Sequence, residues 1–119
     1  MKKIILNDFN KTIQGLNKRL NEIKNICGDN TLWFIRSYAE EYWIAESMRN
    51  KLTVMVETIE AKEVTDINKY LNDIRDEYIN NMLAQPLMES SSSTMYRATS
   101  LWENEVHRKM IKLIDAFYL

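Results

Sequence analysis

Apolar residues recur along this chain at alternating steps of three and four, almost from its first residue. Leu6, Phe9, Ile13, Leu16, Leu20, Ile23 and Cys27 hold this spacing for three heptads, which places them on one stripe of a first helix. Gly15 lies off the stripe and reads as a surface glycine rather than a point of close helix approach. Gly28 can end this helix in a left-handed conformation, and Asp29, Asn30 and Thr31 offer caps for the next.

From Thr31 to about Glu63 the chain has neither Gly nor Pro, which predicts a long second helix. Its seam runs through Ile35, Tyr38, Tyr42, Ala45, Leu52, Val56 and Ile59, with Arg49 at the one seam position lacking an apolar residue. Such a seam drifts around a helix of 3.6 residues per turn, so a bend is expected near Ser47 to Asn50, where Met48 begins a new stripe. Trp33 and Ile44 point away from the seam and Trp43 flanks it. A helix that is apolar on two sides must be covered on two sides, by its own fold or by a second chain. The β-branched run LTVMVETI has no strand partner except KKIIL and is read as helix.

Thr65 or Asp66 can cap a third helix with the stripe Ile67, Leu71, Ile74, Tyr78 and Met82, which Pro86 is expected to end. QPLMESSSST reads as a linker to a fourth helix, from about Thr94 to the C-terminus. Met95, Ala98, Trp102, Val106, Leu113 and Phe117 are expected to face the core. Tyr96, His107, Ile111, Ile114 and Tyr118 gather on another side, too apolar for a solvated face. The pattern as a whole predicts an all-α bundle of about four mostly antiparallel helices, with a long central second helix, as a single domain over 1–119.

Composition narrows this picture. With 119 residues, 45% of them hydrophobic, the chain can bury one core but not two. A net charge of -1 argues against a chain whose main work is neutralising phosphates. Lys2, Lys3, Lys11, Lys18, Arg19 and Lys24 make the first segment basic, and Glu57, Glu60, Glu63, Asp66, Asp73, Asp76 and Glu77 make the middle acidic; the two faces are expected to attract each other. The lone Cys27 fits a reducing cytoplasm. No apolar run approaches the roughly 20 residues of a membrane span, and MKKIIL is too short for a signal sequence. Abundant Asn, Ile and Lys suit an AT-rich bacterial or phage genome.

Candidate chemistry is sparse. Di-metal carboxylate bundles use Glu-x-x-His motifs on facing helices, whereas ENEVH sets Glu103 and the single histidine, His107, four apart. Cys27 lies in an apolar seam, where a thiol behaves as a small hydrophobe. Two glycines cannot supply a phosphate-cradling loop, and the adjacent Glu40 and Glu41 project in different directions. The segment IEAKEVTDINKYLNDI has a loose helix-turn-helix look, but Asp73, Asp76 and Glu77 would repel a phosphate backbone.

The expectation is therefore a non-enzymatic, cytoplasmic protein-binding module with no cofactor, an inhibitor or adaptor that occupies a partner protein's surface, as a homodimer. The expected partner or dimer interface comprises Trp33, Trp43, Ile44, Tyr96, His107, Ile111, Ile114 and Tyr118. A nucleic-acid-binding regulator using the basic first helix is the competing expectation.

Overall fold

The computed structural model describes residues 2–61, 64–88 and 94–118, with side-chain surroundings for all of these except 83–88, 94–100 and 118. Every regular element among them is helical: α1 (Lys2–Cys27), α2 (Thr31–Ser37), α3 (Ala39–Glu60), α4 (Ile67–Met88) and α5 (Thr94–Asp115), closed by a 3-10 turn at Ala116–Tyr118. The all-α class holds, with five α-helices among the described residues where about four were expected. The chain forms two compact units, Met1–Glu63 and Val64–Leu119. In the first, α1 packs on α3 and α2 touches both; in the second, α4 packs on α5.

The stripe of α1 buries Phe9, Leu20, Ile23 and Cys27, as the spacing predicts, with Leu6, Ile13 and Leu16 half-buried. Ile5 takes the interior position expected for Leu6, because 3.6 residues per turn carries the face back by one residue at the helix start. Gly28 then adopts φ +52° and its amide donates to the Lys24 carbonyl at 2.9 Å, the left-handed helix end that glycine permits. Asn30 caps α2, its Oδ1 accepting from the Trp33 amide at 2.9 Å.

The expected second helix is two helices. Tyr38, at φ −131° and ψ −9°, leaves the helical region and separates α2 from α3. Around the break, Trp33 meets the edge of Tyr38 with ring centroids 6.1 Å apart, and Phe34 meets Tyr42 at 5.3 Å. There is no break near Ser47 to Asn50, since α3 continues from Ala39 to Glu60. Its buried residues, Ile44, Ala45, Met48, Leu52, Met55, Val56 and Ile59, form a face broad enough to absorb the drift. Arg49 accommodates its seam position by carrying its guanidinium outward to Asn17 and Asn50. LTVMVETI is helical, as read.

Asp66 caps α4, its Oδ1 accepting from the Lys69 amide at 3.1 Å. Pro86 does not end α4, which runs on to Met88. A proline this close to a helix C-terminus removes one of the last backbone bonds and leaves little helix to disrupt. Leu71 and Tyr78 are buried, with Ile67, Ile74 and Met82 half-buried beside them. The serines at 90–93 lie outside the described residues.

Gly15 is exposed, and an added Cβ there would meet nothing within 4 Å. Gly15→Ala is accordingly expected to stabilise the protein by about 0.5–1 kcal/mol, through helix propensity and a less flexible unfolded chain. A rise in the urea midpoint at unchanged m-value checks this; a fall would mean that the position is closely approached.

Candidate functional site

The eight residues expected at an interface fall into both units. Trp33, Trp43 and Ile44 belong to the first, and Tyr96, His107, Ile111, Ile114 and Tyr118 to the second. Ile44, His107 and Ile114 are interior residues, 8%, 1% and 0% exposed, rather than parts of an open second face. Among the described side chains of α5 the buried ones are Val106, His107, Met110 and Ile114, so here the two stripes read on this helix meet in one core. Adjacent positions such as 106 and 107 are only about 100° apart on a helix, close enough to share a wide buried face. Trp43 and Ile111 are half-buried. Tyr96 and Tyr118 lie on α5 and in the 3-10 turn, and their side chains are outside the described set. Met95 and Ala98, expected in the core, are likewise outside it, while Trp102, Leu113 and Phe117 are half-buried.

Trp33 is the expected residue that combines an aromatic body with real exposure, at 43%. It stands beside two residues not assigned to the interface, Leu32 at 57% and Ile35 at 60%. Ile35 counted as a seam residue only while the run was one helix; once Tyr38 breaks it, Ile35 turns to solvent. α2 is thus a seven-residue helix with no buried residue, carrying three large apolar side chains on its outer side. Leaving these in water has a cost, and patches of this kind mark interaction surfaces more often than scattered single residues do.

On its inner side α2 closes an open slot of about 290 Å³, lined by Lys24, Cys27, Gly28, Asn30, Thr31, Phe34 and Tyr42. Phe34 and Tyr42 meet edge to face at 76° and Cys27 is buried. Lys24 brings its ammonium to 6.0 Å from the centre of the Tyr42 ring, within range of a cation–π attraction. On the neighbouring surface Arg19 holds Glu41 with two bonds, 2.7 Å from Nε and 2.9 Å from Nη2, and reaches Glu22 at 3.3 Å. These hydrogen bonds, Glu41's first, hold the Arg19 guanidinium still more firmly protonated.

The second unit carries a different feature. Tyr78 and His107 stack in the interior with centroids 5.0 Å apart and planes 19° from parallel. Among the described residues, no three His, Cys, Asp or Glu side chains are grouped so as to hold a metal ion. No described helix is long and apolar enough to cross a membrane.

These features define an all-α chain with an aromatic-aliphatic surface on a short helix and an aromatic slot beneath it. Comparison with protein-family models, with curated proteins and with solved structures found no match.

Proposed function

We propose that this protein is a non-enzymatic, protein-binding module of bacterial or phage origin, an inhibitor or adaptor that works in the cytoplasm by occupying a partner protein's surface. The supporting observation is the outer side of α2, where Leu32, Trp33 and Ile35 are 57%, 43% and 60% exposed on a helix that buries none of its own residues. Exposed Trp beside large aliphatic groups is the composition of interface anchors. The helices are read as an antiparallel bundle. In favour of this, α1 meets α3 through Arg19 with Glu41 and Asn17 with Arg49, and α4 meets α5 through Arg75 with Asp115 and Tyr78 with His107. In both pairs one helix ascends in number as the other descends. Homodimerisation, through residues of the expected second and last helices, belongs to the same reading; a monomer by light scattering, unchanged by Trp33→Ala or Tyr118→Ala, would remove it.

The nucleic-acid reading relies on the basic face of α1, and Arg19 there is already engaged by Glu41 and Glu22. The test is capture from a low-GC bacterial lysate, with and without nuclease, using the wild-type chain and the Leu32→Glu, Ile35→Glu double variant. Both positions are exposed, so helicity by circular dichroism should be unchanged. A protein that survives nuclease and is lost at least about tenfold with the variant is the expected result. Equal capture by both chains rejects α2 as the contact, and material that disappears with nuclease favours the nucleic-acid regulator.

A further inference from the structure

We infer that the slot enclosed by α1, α2 and α3 receives an apolar side chain from an extended segment of a partner protein, with a flanking carboxylate of that segment held by Lys24. This deepens the binding-module reading and rests on it. It names the chemistry of the partner.

The slot has a built apolar interior. Cys27 forms buried floor, and the rings of Phe34 and Tyr42, 5.3 Å apart, form a wall. At about 290 Å³ it lies near the lower end of small-ligand sites, with room for one large side chain and the group that orients it. Its mouth is open where Gly28 carries no side chain and α2 ends as a separate short helix at Tyr38.

Charge selects the occupant. Lys24 is the one lining residue that carries charge, and it makes no ion pair among the described residues. Its ammonium stands over the Tyr42 ring, 6.0 Å from the centre, at a position where a carboxylate entering beside an apolar group would meet it. Of the neighbouring cations, Arg19 of α1 is held by Glu41 and Glu22, and the exposed Arg36 of α2 is not among the residues that line the slot, so Lys24 is the cation placed at the slot itself. A basic segment would bring a like charge onto this ammonium, and a neutral one would leave it unused. An extended peptide fits better than a small molecule. The same seven-residue helix that walls the slot with Phe34 presents Leu32, Trp33 and Ile35 to solvent, so a longer occupant finds further apolar surface where it leaves the slot.

The test uses the full-length chain, labelled with nitrogen-15, titrated with three capped tetrapeptides: Asp-Leu-Phe-Asp, Asn-Leu-Phe-Asn and Lys-Leu-Phe-Lys. The acidic peptide is expected to give saturable amide shifts concentrated at residues 24–34 and 42, and to bind about fivefold or more tightly than the neutral one, with the basic one weakest. Lys24→Gln, an exposed position, should abolish the difference between the acidic and neutral peptides while leaving the rest of the spectrum in place. Shifts elsewhere, equal binding of all three peptides, or no effect of Lys24→Gln would overturn the inference. Loss of lysate capture in the Leu32→Glu, Ile35→Glu variant together with peptide failure would sink the slot alone. Peptide binding without any captured protein would sink the wider reading instead.

Discussion

Phe9→Ala is expected to lower the free energy of unfolding by about 3–5 kcal/mol, the largest effect of any single side chain considered. Phe9 is 0% exposed on the stripe of α1. Truncation there removes the transfer free energy of an aromatic ring and leaves a cavity that close-packed neighbours fill only in part. Phe9 sits between Ile5 and the half-buried Ile13, and α1 packs chiefly on α3, so the loss falls on the contact that organises the first unit. Domains of this size are stable by only about 5–15 kcal/mol, so such a change moves the protein much of the way to unfolding. Urea denaturation followed by circular dichroism measures it, with Ile4→Ala as the control. Ile4 is exposed, and its truncation should stay within about 0.5 kcal/mol of wild type. Equal effects at positions 4 and 9 would mean that the α1 stripe is not the core.

That stripe was the most legible part of the chain, and the reason is physical. Where one helix packs along one side, its apolar spacing copies the helix period, and seven residues from Leu6 to Cys27 are enough to separate 3.6 from any competing period. Gly28 and the caps Asn30 and Asp66 were legible because their roles depend on their own backbone and side chain. The break at Tyr38 was not, since tyrosine has no local preference against helix comparable to that of Gly or Pro. It arises with ring contacts, Trp33 on Tyr38 and Phe34 on Tyr42, that form only in three dimensions. Missing it reversed Ile35, counted as core and found exposed, and with it the outer surface of α2.

The same limit applies to the interior of α5. His107 was placed on another side of the helix from Val106, yet it is buried beside it, an aromatic ring, Tyr78, covering the face of its imidazole. Met110, fully buried, belonged to neither stripe, although on the helix it falls between Val106 of one and His107 of the other. Charge was legible in direction but not in address. α1 does use a basic residue to hold the rest of its unit, but the partner of Arg19 is Glu41 at the start of α3, not the acidic run that begins at Glu57. The slot beside Lys24 had no signal in the sequence at all, because its lining residues from 24 to 42 come from three helices and the turn between two of them.

Alkaline destabilisation through Tyr78 is the second large effect, and its sign follows from where the phenol sits. Burial pushes the Tyr78 hydroxyl from 10.0 up to about 12, and the negative charge of Glu77 adds to it. The ionised phenolate is therefore easier to form in the unfolded chain than in the folded one. Below pH 10 the group is neutral in both states and its contribution is fully present. As pH rises from 10 towards 12, the unfolded chain loses this proton first, and stability falls by an amount on the order of 2 kcal/mol. Other tyrosines and the lysines titrate over the same range, so the informative quantity is a difference between proteins. Tyr78→Phe keeps a ring to stack on His107 and removes the titrating group. Between pH 9 and about 11.5, wild type should lose more unfolding free energy than Tyr78→Phe, by a margin of that order. Urea midpoints at fixed temperature give both slopes. Parallel slopes would show that the phenol is solvated in the folded state, and would remove both its burial and its stack on His107 from the account of this unit.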